Sequence, residues 1–293
     1  MERYNIAGDH LRASIRTHGA ELCQLQTGSG QDLLWDGDPA VWSGQAPTLF
    51  PVVGALKDNA YTHLGQVYAM AKHGFARDQE WSLVRLSGHA CTLRLRDTAE
   101  TRACFPFPFD LSLTFRIDGP SLRVQYDLRN PGEDHLLASL GAHPAFRWPL
   151  LPGIPKEAHW VEFEKPEQEV IAAMDTGGLI TPQRRANPME GRFLRLKDGL
   201  FAQDALIFQA LQSRAVRYSA PGAPVLEVRW EGFPHLALWM KPGANFLCIE
   251  PWRGFASPSD FEGEFADKPG IFKVGPGATL SMAYIIRVLA PAV

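Results

Sequence analysis

Apolar and polar residues alternate at every second position over long parts of the chain. Alternation from Leu111 to Ile117 is followed by a turn at Asp118–Ser121 and resumes from Leu122 to Leu128. Because successive side chains of a strand point to opposite faces, this pattern predicts a β-hairpin with one buried face. The same alternation between Leu280 and Val288 predicts another long strand.

Shorter apolar segments, bounded by glycine and proline, predict further strands, whereas long amphipathic helices are hard to find. The shorter strands are predicted at Leu11–Arg16, Thr92–Arg96, Ala205–Phe208, Val225–Trp230, Leu236–Met240 and Phe246–Glu250. Many short strands separated by turn residues indicate an all-β protein, a large antiparallel β-sandwich. The 293 residues contain no linker, repeat or low-complexity segment, so we expect a single domain over residues 1–293.

Composition is that of an ordinary globular protein and argues against some classes of partner. Hydrophobic residues make up 45%, and the formal net charge is −3, with 29 Lys and Arg against 32 Asp and Glu. No run of basic residues is longer than two, so we expect no nucleic-acid partner. The first residues show no signal-peptide pattern, and no apolar run is long enough to cross a bilayer. We therefore expect a cytoplasmic protein without a membrane partner.

The cysteines show no recognised metal or redox motif. No C-x-x-C pair occurs, and without a secretory signal disulfides are not expected. We expect ordinary core residues at the four positions Cys23, Cys91, Cys104 and Cys248.

Two titratable residues end apolar runs and are followed directly by proline. They are His143 before Pro144 and Glu250 before Pro251. Proline disfavours helix in the preceding residue and cannot donate to a sheet ladder, so both side chains are predicted to lie where a strand breaks. Side chains presented at rigid strand ends are well placed for catalysis.

Two further stretches combine polar side chains with apolar neighbours. In Lys72–Asp78, a glycine allows close backbone approach, and His73 and Arg77 supply hydrogen-bond donors. In Phe201–Phe208, Asp204 stands at the beginning of an apolar strand. We expect these polar residues to share a pocket with His143 and Glu250, the two residues that precede prolines.

Each of these residues also has a structural interpretation. A histidine beside apolar residues is commonly a buried structural residue, and Asp204 could cap the turn before its strand. Glu250 is harder to explain in this way, because a carboxylate in an apolar strand is costly unless it is paired or used.

A metal site and a serine hydrolase are the competing chemistries. Two histidines, an aspartate and a glutamate could bind zinc or iron, but the chain has no H-x-H and no H-E-x-x-H motif. No G-x-S-x-G nucleophile motif is present either. We therefore predict no metal and no other cofactor.

Four motifs, taken together and in order, resemble the aldose 1-epimerase (galactose mutarotase-like) family. The motifs are His73–Phe75, Gly141–Phe146, Asp204–Phe208 and Glu250–Trp252. The resemblance covers nearly the whole chain and implies a β-sandwich of the supersandwich type with a sugar pocket on a concave sheet face. By motif position it implies that His143 is the general acid and Glu250 the general base.

The same resemblance implies that His73 and Asp204 bind the sugar, with Arg77 as a weaker assignment. One position departs from the family pattern: Ala55 stands where members often carry arginine after the Phe-Pro-Val-Val-Gly run. Lys57 or Arg77 could supply the missing donor. The departure bears on the identity of the sugar more than on the reaction.

The residues permit a reaction that needs proton transfer alone. One base and one acid suffice to open and close an aldose ring, so that its α and β anomers interconvert. We expect an isomerase of carbohydrate metabolism acting on a small aldose, free or phosphorylated. The alternatives are a carbohydrate-binding β-sandwich without catalysis and a metal-dependent sandwich enzyme. The sequence names neither the sugar nor the oligomeric state.

Overall fold

The computed structural model describes residues 2–290, and antiparallel strands make up most of it. The first twelve strands are β1 (Arg3–Ala7), β2 (Leu11–Arg16), β3 (Glu21–Thr27), β4 (Ala60–His63), β5 (Gln66–Ala69), β6 (Ser82–Leu86), β7 (Ala90–Arg96), β8 (Asp110–Asp118), β9 (Ser121–Arg129), β10 (Leu136–Ala138), β11 (Leu140–Gly141) and β12 (Ala145–Arg147). The remaining strands are β13 (Trp160–Phe163), β14 (Ile171–Met174), β15 (Ile180–Arg185), β16 (Phe193–Arg195), β17 (Leu206–Phe208), β18 (Ala215–Ser219), β19 (Val225–Glu231), β20 (His235–Trp239), β21 (Phe246–Arg253), β22 (Phe272–Val274) and β23 (Thr279–Leu289).

Helical structure is short and local. Within residues 2–290 the single α-helix is α1 (Ala99–Cys104), which begins with a capping box in which Thr98 and Thr101 satisfy each other's backbone N–H groups. Turns of 3-10 helix lie at Lys57–Asn59, Ala76–Asp78, Lys156–Ala158, Asp198–Phe201 and Phe265–Asp267. In the described part of the chain, every helix is too short or too polar to cross a membrane.

The larger sheet has nine strands in the order β16-β13-β18-β19-β23-β9-β8-β7-β6. It contains the predicted hairpin of β8 and β9, in which Leu113 pairs with Tyr126. Alternate residues of β8 are buried, so the predicted two-residue pattern and its buried face are confirmed. The predicted C-terminal strand is β23, which pairs with β9 over nine positions.

The second sheet has seven strands, ordered β11-β21-β20-β17-β14-β15, with β12 also pairing with β21. A buried cluster joins the two large sheets, and Phe163 of β13 contacts Phe208 of β17 with ring centroids 5.2 Å apart. The fold is therefore the predicted large antiparallel β-sandwich. Burying a large apolar side chain of this kind contributes about 1.5–3 kcal/mol.

The opposite face of the seven-stranded sheet carries a smaller buried cluster, which includes Ile207, Ala237 and Trp252. Ala237 pairs with both Ile207 and Glu250 across neighbouring strands. Because paired residues of adjacent strands point to the same face, Glu250 lies on this second face rather than in the main core. The strands β17, β20 and β21 thus form the floor of the site described below.

The predicted strand break at Glu250 is wrong. Strand β21 runs from Phe246 to Arg253, and Pro251 pairs with Leu236 inside it. A strand residue directs its N–H and C=O to the same side, and the Pro251 carbonyl accepts from the N–H of Ala142. The proline nitrogen therefore faces the gap between β11 and β12, where the ladder is already interrupted.

Candidate active site

A cavity of about 480 Å³ opens over the second face of the seven-stranded sheet. All five residues predicted as site residues line it: His73, Arg77, His143, Asp204 and Glu250. Its volume lies within the range of about 300–1,000 Å³ usual for small-molecule sites. Residues far apart in the sequence therefore meet around one hollow of the size that a pyranose needs.

His143 and Glu250 contact each other at the cavity. The Nε2 atom of His143 lies 3.2 Å from Oε2 of Glu250. His143 lies in the gap between β11 and β12, as predicted from Pro144, and Glu250 lies within β21, against which both short strands pair. The pairing of β11 and β12 with one strand is what brings the imidazole over the carboxyl group.

Burial favours the uncharged forms of both groups. It lowers the pKa of His143 to about 3. It raises the pKa of the Glu250 carboxyl well above its ordinary value, and the positive charge of Lys72 opposes this effect only in part. The two groups therefore hold one proton between them over a wide pH range, and burial favours that proton on Glu250 rather than on His143.

Among residues 2–290, three buried polar atoms of cavity-lining residues have no hydrogen-bond partner. They are Nδ1 of His143, Oε2 of Glu250 and Nε1 of Trp252. The contact between His143 and Glu250 is close but is not aligned as a hydrogen bond. Leaving a buried polar group unpaired costs about 1–3 kcal/mol, so three such atoms around one cavity indicate a ligand with several hydrogen-bonding groups.

His73 is held in one tautomer by the backbone. The backbone N–H of Gly54 donates to Nδ1 of His73 at 3.1 Å, and the backbone N–H of His73 donates to the Gly54 carbonyl at 3.0 Å. Since Nδ1 accepts a hydrogen bond, Nε2 carries the proton of the neutral ring. Burial, and then the neighbouring His143, lowers the pKa of His73 well below its usual value, so the ring is a neutral donor.

Asp204 satisfies both interpretations of its sequence position. It has a positive φ of 68°, and its Oδ1 accepts from the N–H of Ala205 at 2.8 Å, directly before β17. It therefore caps the turn, as the structural interpretation required, and the residue also lines the cavity.

Lys72 lines the cavity and was not singled out by sequence reasoning. It precedes His73, in the stretch that did attract attention, and the Nη2 atom of Arg77 donates to its carbonyl at 3.0 Å. The sequence feature that could have indicated Lys72 is the presence of a second cation, beside Arg77, in the stretch Lys72–Asp78. Lys57, in contrast, binds Glu262 with Nζ 2.8 Å from Oε1 and lines a separate cavity, so it is not the substitute for an arginine at position 55.

Aromatic side chains form part of the wall. Trp252 lines the cavity, and so do Trp42 and Trp239, whose rings lie 5.2 and 5.6 Å from that of His143. No local sequence pattern marks Trp42 or Trp239 as a site residue. Trp42 belongs to the irregular segment between β3 and β4, where no periodic pattern exists to indicate which side chains face inward.

Donor atoms of His143, Cys248 and Glu250 all lie within 4.8 Å of one another, and all three residues are buried. Such a set could hold zinc or a similar ion. Burial raises the pKa of the Cys248 thiol well above its ordinary value, and a bound cation would act in the opposite direction by favouring the thiolate. In the described part of the chain all four cysteines are free, and only Cys104 is not fully buried.

Comparison with known proteins gives a consistent result. The family model described as aldose 1-epimerase matches residues 2–272. Protein LacX (plasmid) of Lactococcus lactis subsp. lactis is 30% identical, with 97% of this chain and 98% of LacX covered. A galactose mutarotase related enzyme from Lactobacillus acidophilus superposes with a TM-score of 0.93 at 26% identity, over 99% of this chain and 98% of the other. A galactose mutarotase-like protein from Lactobacillus casei ATCC 334 superposes with a TM-score of 0.91 at 24% identity. The match covers 98% of this chain and 100% of the other.

Proposed function

The chain belongs to the aldose 1-epimerase family, and from this premise we propose that it interconverts the α and β anomers of an aldose. The observation that carries the proposal is the contact of His143 with Glu250, 3.2 Å apart, at the wall of a cavity of about 480 Å³. An imidazole and a carboxyl group that share one proton are the donor and acceptor that anomerisation needs.

The proposed reaction consists of proton transfers around one bond cleavage. A base takes the proton from the C1 hydroxyl while an acid protonates the ring oxygen, so the C1–O5 bond breaks and an open-chain aldehyde forms. Rotation about the C1–C2 bond and closure on the other face of the carbonyl give the second anomer. The proton returns in the closing step, so no net proton is consumed and no metal or nucleotide enters the balance.

We assign the acid to His143 and the base to Glu250. Because burial favours the proton on Glu250, this assignment requires the proton to move to His143 when the sugar binds. Sugar hydroxyls that donate to the carboxylate favour its charged form and therefore lower its pKa. The field of Lys72 acts in the same direction.

The remaining polar residues are proposed to hold the sugar. His73 presents a neutral N–H donor, and Asp204 retains one carboxylate oxygen that the Ala205 N–H does not use. Arg77 adds a cationic donor at the same cavity. Trp42, Trp239 and Trp252 provide apolar surface for the C–H faces of a pyranose.

The test is anomer exchange measured by polarimetry and by NMR saturation transfer. Glu250→Gln and His143→Asn should each lower the enzymatic rate by about 10²–10⁴-fold, which is the usual contribution of one positioned acid or base. Glu169→Gln and His89→Asn change exposed residues of the same types and serve as matched controls. Circular dichroism should show that all four variants remain folded.

A carbohydrate-binding protein without catalysis is the second candidate, because unpaired polar atoms in an aromatic-walled cavity also suit simple binding. In that case calorimetry would detect sugar binding while anomer exchange stayed at the uncatalysed rate. Wild-type-like exchange in both site variants would instead reject the assigned pair. A cytoplasmic location stays a prediction.

A further inference from the structure

We propose that the aldose bound in this cavity carries an anionic substituent, a phosphate or a carboxylate, which is recognised by Lys72 together with Arg77. The inference rests on the proposed function, since it names the class of sugar that the same cavity takes. Its basis is a pair of cations at the cavity that the protein's own carboxylates do not neutralise.

Lys72 is an exposed residue whose ammonium group lies beside the backbone of Gly178. A Cβ atom placed on Gly178 would lie 3.6 Å from Nζ of Lys72 and 3.8 Å from Cβ of Ala55. Within residues 2–290, no carboxylate oxygen comes within 4.0 Å of this Nζ atom. Asp175, in the same turn as Gly178, uses its Oδ1 atom for the N–H groups of Gly177 and Leu179.

Arg77 lies beside Lys72 and is almost as poorly neutralised. Its Nη2 atom donates to the Lys72 carbonyl at 3.0 Å, which ties the two residues together. Its one carboxylate contact within the described range 2–290 is between Nε and Oδ2 of Asp78, at 3.7 Å, and the Asp78 side chain is 69% exposed. A contact this long and this exposed contributes little, because water screens it.

Lys57 shows what a neutralised lysine looks like in the same protein. Its Nζ atom is 2.8 Å from Oε1 of Glu262, and it lines a different cavity. In the part of the chain that the structure describes, Lys72 has no such partner although it lines the sugar-sized cavity. The difference lies in the surroundings of the two ammonium groups rather than in the residue type.

The acidic residues of the cavity do not cancel the two positive charges. Burial favours the protonated form of Glu250, and Asp204 is therefore the one carboxylate that faces two cations. His73 and His143 are neutral, because burial lowers the pKa of both rings. With Lys72 and Arg77 against Asp204, the cavity is lined by more cationic than anionic side chains, which attracts anions and raises their local concentration.

Ammonium and guanidinium groups side by side suit one chemical class of ligand. Charge-assisted hydrogen bonds from lysine and arginine to phosphate or carboxylate oxygens are about twice as strong as those between neutral groups. The hydroxyls of a neutral sugar would leave both charges without a counterion. A sugar phosphate and a sugar acid share the required negative group, and the experiment has to separate them.

The experiment compares kcat/KM for anomer exchange of glucose, glucose 6-phosphate and glucuronate, with the ratio of each charged sugar to glucose as the readout. The wild-type protein should prefer at least one charged sugar by about tenfold or more, and Lys72→Met should lower that ratio by a similar factor. Lys57→Met is the matched control and should leave the ratio unchanged. The sugar with the larger ratio identifies phosphate or carboxylate as the preferred group.

Equal kcat/KM for all three sugars would overturn the inference and leave the proposed function intact. The same holds if Lys72→Met keeps the wild-type ratio, or if Lys57→Met lowers it equally. If no sugar shows accelerated exchange, the proposed function fails. Calorimetric binding of glucose 6-phosphate, glucuronate and glucose to wild-type and Lys72→Met protein then decides the question of charge, with the same affinity ratios expected.

Discussion

The Nε2 atom of His143 lies 3.2 Å from Oε2 of Glu250, and both groups are almost completely removed from water. A charged pair at this depth would have to recover the hydration of both ions from one imperfectly aligned contact. Burial instead disfavours both charges, lowering the pKa of His143 and raising that of Glu250. The pair is therefore a neutral donor and acceptor until a ligand changes its surroundings.

The first prediction concerns the pH profile of kcat/KM. The productive pair holds one proton, so activity should fall when the pair gains a second proton at low pH or loses its last proton at high pH. Because burial lowers the pKa of His143 to about 3, the acid limb should lie well below the ordinary histidine value of about 6.5. The raised pKa of Glu250 should set the alkaline limb.

The substitution Lys72→Met tests the direction in which the alkaline limb of this pH profile moves. The positive charge of Lys72 lowers the pKa of Glu250, so its removal should raise that pKa and move the alkaline limb to higher pH. Lys57→Met should leave the limb in place, because Lys57 is paired with Glu262 outside the cavity. The rates must be corrected for uncatalysed mutarotation at each pH. An alkaline limb that moves to lower pH in Lys72→Met would contradict the assignment.

The second prediction places the proton directly. In the free protein at neutral pH, the ¹⁵N NMR shifts of His143 should be those of a neutral imidazole, since burial lowers its pKa to about 3. Saturation with a substrate aldose should move them toward imidazolium values, as the acid role of His143 requires. His143→Asn identifies the signals by their loss. Imidazolium shifts in the free protein would contradict the proton on Glu250.

Where the sequence succeeded, a local pattern carried the information. The hairpin was expected at Leu111–Ile117 and Leu122–Leu128, and β8 and β9 extend only slightly beyond these limits. Alternation is visible there because one face of each strand meets the core while the other contacts polar surroundings. The cavity placement of His143 could also be expected, because proline after it interrupts a strand.

Where the sequence failed, the deciding interactions join distant segments. Pro251 was expected to end its strand, but its nitrogen faces a gap that only the register of β11 and β12 creates. No sequence pattern marks Lys72, because its relation to Gly178 and Ala55 depends on loops that no periodicity describes. The candidate site was therefore predictable in its residue types, and not in the charge balance around them.

The third prediction concerns metal ions. Donor atoms of His143, Cys248 and Glu250 lie within 4.8 Å of one another, so a metal-dependent reaction has a specific set of ligands. The proposed proton transfers need no ion, and we expect dialysis against a chelator to leave anomer exchange unchanged. Cys248→Ala should likewise retain activity. Loss of activity in both treatments, restored by zinc in the wild-type protein alone, would favour the metal-dependent alternative.

The fourth prediction links the proposed base to stability. Burial raises the pKa of Glu250 above its unfolded value, so this residue favours folding most at pH values below the unfolded pKa. That contribution is lost as pH rises through the folded-state pKa, because the carboxylate must then be ionised inside the protein. Glu250→Gln keeps the shape and removes the ionisation.

Urea unfolding should therefore show Glu250→Gln gaining stability over the wild-type protein as pH rises, on the order of 1 kcal/mol or more on the alkaline side. Glu169→Gln, at an exposed position, should show no such pH-dependent gain. The more stable variant should be the inactive one, because the group that costs stability is the group proposed to accept the substrate proton. If Glu250→Gln instead loses stability relative to the wild-type protein as pH rises, the carboxylate is already ionised and paired in the folded state.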